Sequence, residues 1–233
     1  MRTKFLLLLC ILMSICVDVN AKKRSLKISA MPSDAKISID GNYVGDGVIE
    51  YPITKKDNFL VIRIEKEGYL PVETKYYTSD KRNAVSYTLR QDLFYESSTP
   101  NGNVNKFFSV EVSKDLYSIG KDGKKDTEKA WKLIHQILLN YFDELQTTDI
   151  SSGFIQTPWK YRQFGESKQV IRTRVTVKQM GISDDKLIFQ IKISSEQAPL
   201  IGMNNENSYS EVTRLLKEYD SLISEFQSRL SVK

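Results

Sequence analysis

The chain has 233 residues, of which 40% are hydrophobic and 27% are charged, and these proportions indicate a folded globular protein rather than a disordered or collagen-like chain. Lysine and arginine outnumber aspartate and glutamate by only 34 to 29, which argues against a dedicated nucleic-acid-binding protein. With one histidine and two cysteines, the chain lacks the residues of most metal centres and nucleophilic active sites.

Residues 1–21 are predicted to be a secretory signal peptide. Arg2 and Lys4 precede the apolar run 5–17, and small residues follow up to Ala21. The apolar run is shorter than the roughly 20 residues that a membrane-spanning helix needs. We therefore expect cleavage between Ala21 and Lys22, export to the periplasm or the cell surface, and no transmembrane span after signal removal. An uncleaved N-terminal anchor is the alternative.

Both cysteines, Cys10 and Cys16, lie inside the predicted signal peptide. A mature chain would then have no disulfide, no thiolate nucleophile and no cysteine metal ligand. Lipidation of Cys16 would anchor the protein to a membrane. The bulky Ile15 stands before Cys16, where lipoproteins carry a small residue, so lipidation is the less favoured alternative.

Residues 25–92 are predicted to form a small all-β sandwich. Apolar and polar residues alternate in short runs, and turn-forming residues separate these runs. The predicted strands are residues 26–30, 35–39, 59–65, 72–77 and 84–89. Asp40-Gly41-Asn42 is predicted to be a hairpin turn, because glycine and asparagine tolerate a positive φ, and residues 45–47 are predicted to be another turn.

This predicted sandwich resembles the PEGA domain, a family named for a Pro-Glu-Gly-Ala turn. The residues that carry the resemblance are Pro32 and Ala35 of a Pro-Ser-Asp-Ala turn, Asp40, Gly41 and Gly45, and the pair Gly68 and Tyr69. The central letters of the first turn differ from the family pattern, and a proline that the family carries after Val-Gly is missing. The resemblance implies a β-sandwich of an exported or surface bacterial protein, without catalytic residues. The residues themselves indicate turn-forming glycines.

Residues 93–105 are predicted to be a linker, because a proline and a run of polar turn-forming residues lie there. Residues 106–233 are predicted to be an α+β domain, in which an antiparallel sheet carries two helices on one face. Its predicted elements are a strand at 108–112, a helix from 126 to 145, an extended segment at 154–159, strands at 171–177 and 187–193 with a turn at 183–185, and a helix that begins at a capping box of Ser208 and Glu211 and continues to 230.

The order of these elements resembles the helix-grip domains of BamC-like outer-membrane assembly lipoproteins. The residues that carry this resemblance are Ala130-Trp131, the segment 149–155 and Trp159. The resemblance implies a role in outer-membrane assembly. The chain lacks the lipidation motif of that family, so a lipid-anchored assembly factor is kept as an alternative function.

No set of catalytic residues is recognisable in the sequence. His135 has no nucleophile or carboxylate assigned to it, and Asp149 and Asp184-Asp185 are explained by turn formation. The chain contains no nucleophile elbow, zinc signature or phosphate loop. We therefore expect a protein that is not an enzyme and that needs no cofactor or metal. A hydrolase that uses dispersed carboxylates is the remaining catalytic alternative.

The candidate binding residues are aromatic. In the run 159–164, Trp159 and Tyr161 alternate with polar residues and can stack on sugars or fill a protein pocket, while Arg162 can supply hydrogen bonds. The alternative is that these aromatic residues face the core. Tyr77 is a further candidate, because one residue of a Tyr-Tyr pair on a strand faces solvent. Together with the predicted signal peptide, the two resemblances and the absence of a catalytic set, these residues predict an exported, non-catalytic binding or scaffold protein that contacts envelope protein or glycan and no nucleic acid.

Overall fold

The computed structural model describes residues 24–54, 58–120, 125–180 and 186–231, and the chain divides into one unit up to Arg90 and a second from Gln91. The predicted signal peptide with Cys16, Ala21 and Lys22, and the turn at 183–185, lie outside the described residues. No helix in the described ranges is long and apolar enough to cross a membrane. The predicted fold class is confirmed, since an all-β unit is followed by an α+β unit.

The described part of the first unit is a sandwich of a three-stranded and a four-stranded sheet. Its strands are β1 (Ser25–Met31), β2 (Lys36–Ile39), β3 (Asn42–Asp46), β4 (Val48–Pro52), β5 (Phe59–Glu65), β6 (Val72–Tyr77) and β7 (Ala84–Thr88). The strand orders are β4-β1-β7 and β3-β2-β5-β6, and β1 pairs with β7 in parallel. Alternate side chains of β1, β2 and β5, such as Ile28, Ile37 and Ile62, are fully buried in one shared core. Period-two alternation therefore builds both sheets.

Two glycines show why this unit needs residues without a side chain. Asp40 (φ 50°) and Gly41 (φ 81°) form the two-residue connection between β2 and β3, so the predicted hairpin turn is confirmed. Gly45 was expected in a turn, but it lies within β3. A Cβ at Gly45 would lie 2.8 Å from Cγ2 of Ile49, so close packing and a φ of 147° favour glycine there.

The second unit combines helices with a large antiparallel sheet. Its α-helices are α1 (Leu93–Glu96), α2 (Glu128–Leu139) and α3 (Asp220–Leu230), and its 3-10 helices are Lys114–Leu116, Leu200–Gly202, Glu206–Ser208 and Lys217–Tyr219. Its strands are β8 (Ser98–Pro100), β9 (Phe107–Glu111), β10 (Ser118–Ile119), β11 (Lys125–Asp126), β12 (Thr147–Asp149), β13 (Phe154–Gln156), β14 (Lys160–Phe164), β15 (Gln169–Met180), β16 (Ile188–Pro199), β17 (Ser210–Glu211) and β18 (Arg214–Leu216). The main sheet has seven strands in the order β12-β13-β15-β16-β17, with β14 also paired to β15 and β9 to β16.

Helices α2 and α3 share their core with one face of the main sheet. Apolar residues at helical spacing, such as Trp131 and Ile134 of α2 and Phe226 of α3, are buried together with Val175 of β15 and Phe189 of β16. The rings of Trp131 and Phe189 meet edge to face with their centroids 4.7 Å apart. The alternate side chains of β15 and β16 point away from α2 and α3, and we call the side of the sheet opposite these two α-helices the helix-free face.

Two predicted helices differ from those in the structure. Helix α2 ends at Leu139 rather than near residue 145. The predicted capping box of Ser208 and Glu211 begins no helix, because Glu211 lies in β17 and α3 begins only at Asp220. Leu216, assigned to that helix from its apolar spacing, instead lies in β18, which pairs with β8. Pairing with a distant strand outweighs the local helical pattern there.

Residues 93–105, predicted to be a linker, are part of the second unit. The Asp92 side chain accepts a hydrogen bond from Phe94 N (3.0 Å) at the start of α1, and β8 pairs with β18. Val104 is buried in the core of the unit. Asn105 binds the backbone of β16. The polar residues that indicated a linker therefore satisfy backbone groups of a folded segment.

We expect Asn105→Ala to lower the free energy of unfolding by about 2–4 kcal/mol. The Asn105 amide donates to the carbonyls of Ser195 (3.0 Å) and Val212 (2.9 Å) and accepts from Ser195 N (2.9 Å), and its φ is 63°. The matched control is Asn103→Ala, an exposed position of the same segment, which should change stability by less than about 0.5 kcal/mol. Equal midpoints of the two variants in urea denaturation would restore the linker interpretation.

Candidate functional site

The predicted binding run 159–164 is divided between the two faces of the main sheet. On β14, Tyr161 lies opposite Arg172 of β15 on the helix-free face and is 47% exposed. Arg162 points to the other side, where its guanidinium forms an ion pair with Glu218 (3.4 Å). Phe164 is buried in the core. The structure therefore does not place Arg162 with Tyr161, and the alternative of a core-facing aromatic holds for Phe164.

Trp159 is half-buried and contacts two arginines of β15. The guanidinium carbons of Arg172 and Arg174 lie 4.2 Å and 4.1 Å from its ring centroid, and Arg172 also lies 3.6 Å from the ring of Tyr209. Such distances allow favourable cation–π interactions. These four residues and Tyr161 form what we call the arginine–aromatic cluster.

The sequence interpretation missed three members of the cluster. Arg172 and Arg174 alternate with apolar residues on β15, so the period-two pattern already placed them on one face of a strand. What the sequence does not show is that Trp159 and Tyr209, from other parts of the chain, reach the same face. The strand alternation was therefore a sequence signal for Arg172 and Arg174, whereas the sequence contained no such signal for Tyr209.

Arg172 is a buried cation that the protein neutralises itself. It is 4% exposed, and its guanidinium lies 2.8 Å from a carboxylate oxygen of Glu196 and 2.8 Å from one of Glu206. Burial disfavours the charged form of Arg172 and by itself would lower its pKa. The hydrogen bonds with Glu196 and Glu206 outweigh this effect and raise the pKa of Arg172 above its ordinary value. Arg172 therefore keeps its charge and fixes the two rings that contact it.

Arg174, two residues further along β15, lacks such compensation. Among the described residues, its buried Nε has no hydrogen-bond partner and its guanidinium forms no ion pair with a carboxylate. Burial holds the pKa of Arg174 below its ordinary value; the charge of Glu196 opposes this shift and that of Arg172 adds to it. The cluster therefore contains one cation that an external anion could stabilise.

The helix-free face continues beyond the cluster towards the end of β15. Lys178 lies with its Nζ 4.9 Å from the ring centroid of Phe107, which is 42% exposed. Between Arg174 and Lys178, the Gln156 amide donates to the Thr176 hydroxyl (3.0 Å). Neutral hydrogen-bonding groups thus separate two cations that each contact an aromatic ring.

His135 and Asp149, two of the residues considered for catalysis, have structural partners. His135 Nδ1 donates to the carbonyl of Trp131 (2.7 Å), one turn earlier in α2. Asp149 accepts from the Ser151 hydroxyl (2.6 Å) and from Ser152 N (3.1 Å), as a turn-forming aspartate does. Within the described ranges, no group of three or more histidine, cysteine, aspartate or glutamate residues is arranged to hold a metal ion.

In the first unit, the structure places Tyr76 in the core and Tyr77 on the surface. Tyr77 is 57% exposed, and its ring meets that of Phe59 edge to face at 6.1 Å. Lys75 Nζ lies 4.8 Å from the centroid of the Phe59 ring. Tyr77 therefore belongs to a small exposed aromatic pair of the first unit.

Several PEGA-like motif residues, such as Gly41 and Gly68, lie at turns of the first unit, whereas Gly45 lies within β3. Ala35 is buried and its N donates to the carbonyl of Pro32 (3.0 Å). Gly68 has a φ of 81°, and Lys66 Nζ lies 5.5 Å from the ring centroid of Tyr69. Lys66 and Tyr69 line an open pocket of about 460 Å³. The neighbouring Lys66 is already paired with Asp34, so these motif residues have a structural role in the turns.

Comparison with known proteins supports the first of the two resemblances. Residues 24–93 match the PEGA domain family, so the match covers the described part of the first unit and extends three residues into the second unit. PEGA domains are generally found in extracellular and periplasmic proteins. No curated protein and no solved structure matches the chain. The resemblance of the second unit to BamC-like domains has no support from these comparisons and stays a prediction.

We expect Glu196 to matter more for stability than Glu206. The side chain of Glu196 is 21% exposed and that of Glu206 is 74% exposed, so water screens the second ion pair far more strongly. Glu196→Gln should lower the free energy of unfolding by about 1–3 kcal/mol, and Glu206→Gln by less than about 1 kcal/mol. Urea denaturation measures both, and a larger loss for Glu206→Gln would contradict this account of the cluster.

We expect the carboxyl group of Asp149 to titrate far below the ordinary range. Hydrogen bonds from Ser151 and then Ser152 lower the pKa of Asp149 to about 2. Because the folded pKa is lowered, this stabilisation is present above the unfolded value near 4 and is lost as the pH falls through about 2. NMR titration of the Asp149 carboxyl carbon measures the midpoint, which should move upward in Ser151→Ala. An unchanged midpoint in that variant would disprove the assignment.

Proposed function

We propose that the protein is an exported, non-catalytic binding or scaffold protein of the bacterial cell envelope, which contacts an envelope glycan or protein through the second unit. The observation that carries this proposal is the arginine–aromatic cluster on the helix-free face. Trp159 is half-buried and Tyr161 is exposed, so both can offer ring surface to a ligand. Arg174 beside them has no anionic partner among the described residues.

The chemistry of the cluster favours binding over catalysis. A general base needs a lone pair aimed at a substrate, and the carboxylates of Glu196 and Glu206 instead bind Arg172. His135 Nδ1 is bonded within its own helix. No observation on the described residues specifically favours the hydrolase alternative or the lipid-anchored assembly factor.

Two lines of support favour an exported protein. Residues 24–93 match a domain family that is generally found outside the cytoplasm. The N-terminal residues have the charge pattern, apolar core and small residues of a signal peptide. In this proposal the first unit is a structural module, because its motif residues lie at turns or within strands of the sandwich, and the second unit provides the binding surface.

We expect Tyr161→Ala to weaken the capture of envelope material by the immobilised full chain. Loss of an exposed ring that stacks on a ligand should reduce retention several-fold, since such contacts are worth about 1 kcal/mol. Retained glycan and protein are quantified separately by sugar analysis and mass spectrometry. The matched control is Tyr43→Ala, which removes a 61% exposed tyrosine from β3 of the first unit. Equal retention by Tyr161→Ala and the unaltered chain would contradict the proposed surface.

A further inference from the structure

Some cations on the helix-free face have carboxylate partners, whereas others have none among the described residues. Arg172 has Glu196 and Glu206, and Lys192 lies 3.7 Å from Glu211. Arg174 and Lys178 form no ion pair with a carboxylate of the described residues, although both lie on β15. Their separation of four residues corresponds to roughly 13 Å along a strand. The face therefore presents two unmatched positive charges along one line.

Each of these two cations lies against an aromatic ring. Arg174 contacts Trp159, and Lys178 contacts Phe107. Phe154, paired with Lys178 across β13 and β15, is partly exposed on the same face. Flat rings beside hydrogen-bonding groups suit a ligand with both apolar and hydroxyl-bearing surfaces, as a sugar ring has.

The backbone of this face is not available to a peptide strand. β15 pairs with β13 and β14 on one side and with β16 on the other. An extended peptide that adds to a sheet needs free backbone groups at an edge, whereas the centre of this face offers only side chains. A polymer with regularly placed acidic groups, recognised by the side chains of this face, fits the surface better than an added peptide strand.

We infer that the helix-free face binds a glycan that carries carboxylate groups, with Arg174 and Lys178 as the residues that bind two of its carboxylates. This inference rests on the proposed function and names the ligand class of the same surface. A carboxylate placed at Arg174 would give the half-buried guanidinium the anion that the described residues do not supply. Trp159 and Phe107 would then contact the sugar rings beside the two charges.

The test is isothermal titration calorimetry of the full chain with polygalacturonate and with the same polymer after methyl esterification of its carboxyl groups. We expect binding of the charged polymer, weakening as salt is raised, and at least tenfold weaker binding of the ester. Arg174→Gln should reduce the affinity for polygalacturonate about tenfold, and Lys178→Gln several-fold. Arg162→Gln is the matched control, because it removes a cation from the opposite side of the same sheet, and it should bind normally.

Equal binding of the charged and esterified polymers, absence of binding to both, or normal binding by both Arg174→Gln and Lys178→Gln would overturn the inference. Lys178 is exposed, so Lys178→Gln decides the outcome even if Arg174→Gln fails to fold. Retention of envelope protein that depends on Tyr161, without binding of polygalacturonate, would overturn the glycan ligand and leave the proposed function standing. Loss of that dependence on Tyr161 would contradict the proposed function itself.

Discussion

The pairing of β15 with β16 is the constraint on which the second unit depends. The two twelve-residue strands are in continuous register from Gln169 opposite Pro199 to Met180 opposite Ile188. Successive side chains of a strand point to opposite faces, so the register that buries Val175 against the helices also places Arg174 on the helix-free face. A shift by one residue would place the arginines in the apolar core. The hydrophobic core and the candidate site are therefore fixed by the same alternation.

Within this frame, two arginines of one strand have opposite electrostatic surroundings. The cost of burying Arg172 is offset by two carboxylates, and the resulting network fixes the position of Trp159 and Tyr209. Arg174 contacts the same indole ring without a carboxylate partner among the described residues. Stability alone would favour a paired or an apolar residue at this position. The contrast between the neighbours therefore indicates that Arg172 organises the cluster and that Arg174 is available to a ligand.

Local patterns in the sequence were sufficient for the fold class and for part of the site. The alternation in β1, β5 and β15 and the apolar face of α2 are properties of short segments, as are the aromatic residues Trp159 and Tyr161. The failures involve partners that are distant in the sequence. Leu216 has helical spacing but pairs with β8. The segment that ends at Asn105 has the composition of a linker but binds β16.

The set of site residues predicted from the sequence was incomplete for the same physical reason. Neighbours in the sequence look like one group, but successive side chains of a strand point to opposite faces of the sheet. The prediction therefore grouped Arg162 with Tyr161, although they lie on opposite faces. Besides Trp159, which precedes β14, the residues that join Tyr161 come from β15 and from the segment after β16, and only the folded sheet brings them together. Tyr209 and Glu206 both reach Arg172 from that segment. Arg172 therefore joins the end of the long strand pair to the aromatic surface, which makes the candidate site a product of the tertiary fold rather than of any single motif.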